Sequence, residues 1–143
     1  MTKETITALP VDGHGRSVAG IVIKDGKLLI ARRLPGGSMG EKWEFPGGKV
    51  EPGETDKAAL AREFSEEFSV GVQVGTPVAS ARFEHCGRPI ELGAFQVFLD
   101  SEDFVLTEHT EWRWAEFEEI STLDFADSDR KLLPQLGALF FSS

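Results

Sequence analysis

The chain lacks the features that mark secreted and membrane proteins. It has one cysteine among 143 residues, Cys86, so no disulfide can form within the chain. No stretch approaches about 18 consecutive apolar residues, the length that a transmembrane helix needs, and the N-terminus has no long apolar run typical of a signal peptide. We therefore expect a cytoplasmic protein that has no membrane partner.

Positive charge is also scarce. Lys and Arg number 15 against 24 Asp and Glu, which gives a net charge of −9. This charge disfavours non-specific binding to duplex nucleic acid, so no nucleic acid polymer is an expected partner. It does not disfavour a nucleotide, because a bound divalent cation and a few local Arg and Lys side chains reverse the sign of the potential inside a site.

The length and the hydrophobic content, 41% of residues, predict a single domain over residues 1–143, with a loose polar lead-in at 1–16. Strands are predicted at residues 17–24, 27–33, 43–45, 70–83 (with a break at 75–77), 90–99 and 111–115, with a hairpin turn at Asp25-Gly26. Loops or turns are predicted at 36–40, 84–89 and 100–110. A short helix or turn is predicted at 117–123. An amphipathic helix is predicted at 127–140, with a kink at Pro134 and inward-facing Leu132, Leu133, Leu136 and Leu139.

A glycine-rich loop followed by an acidic helix separates the third predicted strand from the fourth. Thr55 is a candidate N-cap, and Asp56 suits the positive end of the helix dipole. Residues 57–68 are mostly strong helix formers without Gly or Pro. Strands on both sides of this helix, and a further helix at the end, predict an α/β fold with a mixed β-sheet between helices.

Two faces of the acidic helix differ in character. Its apolar stripe, spaced i, i+4 and i+8, consists of Leu60, Phe64 and Phe68. Glu63, Glu66 and Glu67 are spaced i, i+3 and i+4, so their carboxylates converge on one patch. Like charges this close repel, and a hard cation such as Mg²⁺ would convert the repulsion into binding. The alternative for such a run of charges is a solvated acidic face.

The spacing from Gly48 to Val70 closely resembles the signature of the Nudix hydrolases. The sequence reads Gly-x5-Glu-x7-Arg-Glu-Phe-Ser-Glu-Glu-Phe-Ser-Val where the family has Gly-x5-Glu-x7-Arg-Glu-U-x-Glu-Glu-x-Gly-U, with U a bulky apolar residue. The one departure is Ser69, in place of the Gly that normally ends the helix in a left-handed conformation, so Gly71 could take over that turn. The runs Trp-Glu-Phe-Pro-Gly-Gly-Lys and LDFADSDRKLL extend the resemblance over most of the chain and are typical of the MutT branch.

The resemblance implies an α/β/α sandwich and an enzyme. The implied reaction is the Mg²⁺-dependent hydrolysis of a nucleoside triphosphate to the monophosphate and pyrophosphate, with Mn²⁺ as a possible substitute for Mg²⁺. By the same resemblance, the metal ligands are the side chains of Glu63, Glu66 and Glu67 and the backbone carbonyl of Gly47. The first glutamate of the signature, Glu54, is expected to pair with Arg62 and steady the loop.

The resemblance also points to the segment before Trp114. Glu108 corresponds to the loop in which the MutT branch often places a further acidic ligand or the general base, although a solvated loop carboxylate is the alternative. His109 beside it is expected to be structural or solvent-exposed.

Five residues are candidates for contacts with the substrate. Arg33, after the second predicted strand, and Lys49, after the two glycines, are candidate phosphate contacts. Glu44 and Phe45 lie on the short strand before the loop, and Phe45 could stack on a base or belong to the core. Asp129 aligns with the position that reads the base in MutT-like enzymes.

An ionised Asp129 only accepts hydrogen bonds, which suits the exocyclic amine of cytosine or the N1–H and N2–H of a guanine. A (d)CTP-type substrate and an oxidised guanine nucleotide are therefore both expected candidates. A structural alternative is that Asp127 caps the last helix and Asp129 lies in its first turn.

Two alternative functions stay open. Family members that act on ADP-ribose, nucleoside diphosphate sugars or dinucleoside polyphosphates often carry a Pro or Tyr past the signature, and this chain has no Tyr. Non-catalytic nucleotide-sensing modules usually lose signature glutamates, all of which are present here. The expected partner is a nucleotide substrate, and both a monomer and a homodimer are compatible with the sequence.

Overall fold

The computed structural model describes residues 15–37 and 39–141, so most of the expected lead-in lies outside the described residues. The strands are β1 (Gly15–Ile21), β2 (Ile23–Lys24), β3 (Lys27–Arg33), β4 (Trp43–Glu44), β5 (Gly47–Lys49), β6 (Val72–His85), β7 (Arg88–Leu99) and β8 (His109–Glu116). The helices are α1 (Asp56–Phe68), α2 (Phe117–Ile120), α3 (Asp127–Arg130) and α4 (Leu133–Leu136), followed by a π-helical turn (Gly137–Phe141).

The strands form two sheets. The first has the order β5-β1-β7-β6 and is mixed, because β1 is parallel to β7 but antiparallel to β5. The second is antiparallel and is organised around β3, which pairs with β8 along its whole length and with β2 and β4. The expected mixed sheet is therefore present, and a second sheet accompanies it.

Two apolar cores lie on opposite faces of the sheet structure. Neighbouring residues of β1 alternate between them: Val18 belongs to the core beneath α1, and Ala19 to the core beneath the C-terminal helices. The stripe of α1 is fully buried in the first core, as predicted. Helices on both sides of β-structure confirm the α/β/α sandwich.

Helix α1 begins and ends with specific caps. The Thr55 side chain accepts a hydrogen bond from the Ala58 N–H at 3.1 Å, which confirms the predicted N-cap. At the other end, Ser69 itself adopts the left-handed conformation, with φ 60° and ψ 35°, and its N–H bonds to the Ser65 carbonyl at 3.2 Å. The turn therefore stays at the signature position and does not move to Gly71.

The predicted hairpin turn is confirmed, since Asp25 and Gly26 both have positive φ, 53° and 76°. Several strand ends differ from the prediction. β1 starts at Gly15, within the expected lead-in, and β8 starts at His109, where a loop was expected. β6 is continuous, because the expected break is absorbed by shifts of its register against β7. The turn after it is reduced to Cys86-Gly87.

The C-terminal prediction was partly wrong. The expected single helix is divided into α3, α4 and the π-helical turn, and the division falls just before Pro134, which has no N–H to continue the helix. Leu132 and Leu136 are buried as expected, but Leu139 is 57% exposed, because the chain has changed its helical geometry before reaching it. Asp127 does not cap α3, whose N-cap is Ala126. Among the described residues, no helix has the length and apolar character needed to cross a membrane.

Candidate active site

The glycine-rich loop brings α1 against the first sheet. Gly47 and Gly48 form the start of β5 and pair with Ala19 and Val18 of β1. A side chain at Gly47 would collide with the Val18 carbonyl, and a side chain at Gly48 would collide with the Glu63 carboxylate. Gly47 therefore allows β5 to lie close to β1, and Gly48 allows the Glu63 carboxylate to lie directly against the backbone of the loop.

Arg62 holds this loop to the helix. Its Nε donates to Glu54 Oε2 at 2.7 Å, and its Nη2 donates to Glu54 Oε1 at 2.9 Å and to the Lys49 carbonyl at 3.0 Å. Its Nη1 donates to Glu63 at 3.1 Å and to Glu66 at 3.2 Å. The hydrogen bonds from Arg62, assisted by the Glu51 N–H, lower the pKa of Glu54 to about 2. The expected pairing of Glu54 with Arg62 is present.

The three signature glutamates of α1 have different environments. Glu63 is buried, whereas the Glu66 side chain is 59% exposed and contacts Arg62. The Glu67 Oε1 atom is buried and has no hydrogen-bond partner among the described residues. Burial, the hydrogen bond with Glu63 and the charges of Glu63 and Glu44 raise the pKa of Glu67 well above its ordinary value, and Arg33 opposes the shift.

A second group of polar side chains comes from three neighbouring strands of the second sheet. Glu44 on β4 receives hydrogen bonds from Arg33 on β3 and His109 on β8: Arg33 Nη1 lies 3.2 Å from Glu44 Oε2, and His109 Nε2 lies 2.9 Å from the same oxygen. The His109 side chain is completely buried. Its ring packs on Phe68 of α1, with ring centroids 5.1 Å apart. His109 is therefore a buried residue of the site, which the sequence did not indicate.

A cleft of about 130 Å³ connects the glycine loop with the C-terminal region. Its lining combines side chains from both sheets with residues next to α3: Ser17, Val18, Ala19, Arg33, Glu44, Phe45, Gly47, Gly48, Phe83, Leu92, Ser128 and Asp129. The loop and Arg33 thus share one cavity with Asp129. Glu44 lies close enough to both Glu67 and Asp129 for its charge to raise the pKa of each.

Asp129 lines the cleft from α3 and is buried. Its Oδ2 accepts the Phe45 N–H at 2.9 Å, so one of its two oxygens is already bonded to the backbone. Burial, with a smaller effect from the charge of Glu44, raises the pKa of Asp129 to about 7. Asp129 lies in the first turn of α3, one of the two expected positions, and its side chain also lines the cleft.

Other predicted site residues lie at the margin of this arrangement. Phe45 lines the cleft, but the residue is only 2% exposed and its ring packs edge-to-face on Phe125, with ring centroids 5.1 Å apart, so it is a core residue. Lys49 is exposed and holds Arg62 through its carbonyl. Glu108 is exposed, and its carbonyl accepts the Leu34 N–H at 3.1 Å.

The donor set suits a hard divalent cation. Among residues 15–37 and 39–141, no three acidic, His or Cys side chains are close enough together to form a complete metal centre. The buried, unpartnered oxygen of Glu67 next to Glu63 nevertheless places two crowded carboxylates beside the glycine loop. Carboxylate and carbonyl oxygens are the ligands that Mg²⁺ and Mn²⁺ prefer, and such a cation would relieve the repulsion between the carboxylates.

A carboxylate-rich helix packed against a glycine loop, within an α/β/α sandwich, defines a Nudix hydrolase. The chain belongs to this family, because the family model of the NUDIX domain matches residues 13–136. It is an enzyme of the same class as its relatives, which are named as pyrophosphohydrolases and diphosphatases.

Three comparisons show how close the resemblance is. The chain is 39% identical over 122 residues to the CTP pyrophosphohydrolase of Escherichia coli, an alignment that covers 85% of this chain and 90% of the relative. It is 32% identical over 127 residues to a putative 8-oxo-dGTP diphosphatase of Mycobacterium tuberculosis, with 84% and 86% covered. The crystal structure of the MutT protein from Methanosarcina mazei superposes with a TM-score of 0.81 at 25% identity and covers 93% of this chain and all of that one.

Proposed function

We propose that this protein is a divalent-metal-dependent pyrophosphohydrolase of nucleoside triphosphates, which acts as a single Nudix domain in the cytoplasm and removes unwanted nucleotides from the pool. The observation that carries the proposal is the single cleft that joins the glycine loop to Asp129. A triphosphate placed along it has its phosphates near the glutamates of α1 and its base near Asp129.

Glu63, Glu67 and the Gly47 carbonyl would hold the metal, with Glu66 and Glu108 as additional carboxylates at the exposed margin. A bound Mg²⁺ supplies charge neutralisation for the phosphates and lowers the pKa of a coordinated water. Arg33 is half-buried at the edge of the cleft and supplies a fixed positive charge for the phosphates, as Lys49 does from the exposed end of β5. Arg62 and Glu54 hold the loop in a fixed position against α1.

The geometry favours a cytidine nucleotide. The Phe45 N–H occupies Asp129 Oδ2, and among the described residues Oδ1 accepts only a long hydrogen bond from Ser128 Oγ, at 3.5 Å. Oδ1 is therefore the oxygen available to the base, which matches the single exocyclic amine of cytosine. An oxidised guanine nucleotide is the second candidate, because Glu44 lines the same cleft and offers another acceptor. The names of the relatives from Escherichia coli and Mycobacterium tuberculosis support the same two classes.

A substrate panel tests the proposal. Purified protein with Mg²⁺ is assayed with CTP, dCTP, 5-methyl-dCTP, dGTP, 8-oxo-dGTP, ADP-ribose and a diadenosine polyphosphate, and kcat/KM and the products are measured. The expected result is a monophosphate and pyrophosphate from one triphosphate, with no turnover in EDTA and with a large loss of turnover in Glu63→Gln. Cleavage of ADP-ribose or the dinucleoside polyphosphate alone would overturn the assignment of a triphosphate, and equal turnover in EDTA would overturn the role of the metal.

A further inference from the structure

His109 is bonded to the site through one ring nitrogen only. Its Nε2 lies 2.9 Å from Glu44 Oε2, whereas its Nδ1 is buried without a hydrogen-bond partner among the described residues. A carboxylate oxygen can only accept, so Nε2 carries the proton. The lone pair of a neutral Nδ1 costs less to bury unpaired than an N–H would, so this pattern selects the tautomer in which Nε2 alone is protonated.

Glu44 is held asymmetrically as a result. The hydrogen bonds from Arg33 and His109 both end on Oε2, and the described residues place no hydrogen bond on Oε1. The Glu44 side chain is only 12% exposed, and that exposure is to the cleft that it lines. Oε1 is therefore the atom that Glu44 can offer to a ligand.

The position of His109 is fixed more firmly than that of Glu44. Its ring is fully buried, packs on Phe68 and lies on β8 opposite Arg33, with which it pairs across the sheet. The Glu44 carboxylate, in contrast, is held among the described residues only by its hydrogen bonds from Arg33 and His109. Without His109, the hydrogen bond that remains on this carboxylate comes from Arg33, whose side chain is 35% exposed, so the buried ring is the more rigid of the two donors.

We propose that His109 is a positioning residue of this active site: it holds Glu44 through Oε2 so that Oε1 accepts a hydrogen bond from a donor on the nucleoside part of the substrate. The inference rests on the proposed function, because it takes the cleft to be the nucleotide site. The donor is a sugar hydroxyl or an amine of the base, the two classes of hydrogen-bond donor that the nucleoside part of a substrate carries.

Three variants of His109 separate positioning from packing. Gln places its amide nitrogen near the position of Nε2 and can still donate to Glu44. The shorter Asn places its amide nitrogen near the position of Nδ1, from which it cannot reach Glu44. Phe keeps the ring that packs on Phe68 but removes the donor. The same exchange at an exposed histidine on the hairpin of β6 and β7, His85→Phe, is the matched control.

Steady-state kinetics with CTP and 8-oxo-dGTP give the first result. We expect His109→Asn and His109→Phe to raise KM about 10-fold to 100-fold, the range for losing a hydrogen bond to a charged group, with a smaller change in kcat. His109→Gln should stay within about 3-fold of the wild type, and His85→Phe should match it. In a Glu44→Ala background, His109→Phe should add little further effect. Full additivity in that background would overturn the proposal, as would a Gln variant that is as impaired as Phe at unchanged melting temperature.

Two further measurements complete the test. Nitrogen-15 NMR of the wild type should show the Nε2-protonated tautomer of His109, and its Nε2–H signal should shift or disappear in Glu44→Ala; a proton on Nδ1 alone would overturn the proposal even if no triphosphate is hydrolysed. Loss of the KM effect with 2′- and 3′-deoxy analogues would assign the donor to the sugar, and its loss with base analogues that lack the amine would assign it to the base. An effect that persists with every analogue would contradict the contact with the nucleoside.

Discussion

Arg62 and Glu54 form two parallel hydrogen bonds, Nε to Oε2 at 2.7 Å and Nη2 to Oε1 at 2.9 Å. This bidentate pair closes the segment between β5 and α1 into a rigid loop, because the same guanidinium also bonds to the Lys49 carbonyl. Gly48, which approaches Glu63, lies on β5 directly before this segment. The pair therefore helps to set the distance between α1 and the glycine loop.

Replacing Glu54 with Gln should change the pH dependence of stability. The carboxyl has a pKa of about 2 in the folded protein against an ordinary value of 4.5, so its contribution is present above pH 4.5 and is lost as the pH falls towards 2. Urea unfolding should show that Glu54→Gln is less stable than the wild type at neutral pH and that the difference narrows in acid. Glu84→Gln, at an exposed carboxylate, is the control; a constant difference at all pH values would contradict the expectation.

Replacing Glu67 with Gln should lower activity without lowering stability. The Glu67 carboxyl is crowded by Glu63 and Glu44 and has a buried oxygen without a partner, so Glu67→Gln should be at least as stable as the wild type in EDTA. Its kcat with Mg²⁺ should fall roughly 100-fold or more, because several kcal/mol of charge neutralisation depend on the metal. Thermal melts with and without Mg²⁺ should show metal stabilisation of the wild type and little of the variant. Normal turnover at saturating Mg²⁺ would remove Glu67 from the metal site.

The local parts of the structure were predictable from the sequence, and the parts that depend on distant pairing were not. Helix α1, its Thr55 cap and the convergence of its glutamates follow from spacing within one short segment, whereas the clamp between Arg62 and Glu54 was expected from the resemblance to the Nudix signature. The role of Ser69 as the left-handed end of α1 required the structure, because the sequence left both Ser69 and Gly71 available.

The inclusion of His109 in the site could not be read from the sequence. It depends on the register of β8 against β3, which shifts between Arg32 and Arg33 and brings His109 opposite Arg33. A single histidine beside an expected loop glutamate carries no sequence signal for such a pairing. The exposure of Leu139 has a similar origin, because helical periodicity assumes a regular helix and this one is interrupted before Pro134.

A side chain at Gly48 should disturb the glutamates without unfolding the protein. The added methyl group of Gly48→Ala would overlap the Glu63 carboxylate and force it away from the loop. We expect weaker binding of Mn²⁺, measured by electron paramagnetic resonance, and a fall in kcat/KM of about 10-fold or more, since overpacking costs about 1–3 kcal/mol. Gly93→Ala is the control, because its methyl would meet Phe95 only at an ordinary 3.6 Å. Unchanged Mn²⁺ affinity in Gly48→Ala would show that Glu63 is not held by this contact.

Asp129→Asn should change the order of preferred bases. The Asn carbonyl can still accept the Phe45 N–H, but its amide then offers a donor to the cleft where Asp129 offers an acceptor. We expect cytidine triphosphates to lose kcat/KM relative to 8-oxo-dGTP, measured with the same substrate panel. The same order in both proteins would make Asp129 a structural residue.

Asp129 should also reduce stability at higher pH. Its pKa is raised from 3.8 to about 7, so the folded protein keeps this proton over a pH range in which the unfolded chain has lost it. The stability that comes from the protonated carboxyl is therefore fully present below pH 3.8 and is lost as the pH rises through 7. The wild type should therefore lose stability across this range more steeply than Asp129→Asn, which has no proton to lose. Parallel pH profiles of unfolding free energy would contradict the burial of a titrating carboxyl at this position.

Ser69→Gly tests the conformational cost at the end of α1. A residue other than Gly in the left-handed region costs about 1 kcal/mol, so Gly should remove that cost. It also loses the hydrogen bond from Ser69 Oγ to the Val105 carbonyl, which at 3.3 Å and in an exposed position contributes at the low end of about 0.5–1.5 kcal/mol. The net expectation is a free energy of unfolding raised by up to about 0.5 kcal/mol. Ser69→Ala loses the same hydrogen bond but keeps the backbone cost, so it should be less stable than both. If Gly proves less stable than Ala in denaturant titrations, the left-handed turn at Ser69 is not the position that limits the stability of this helix end.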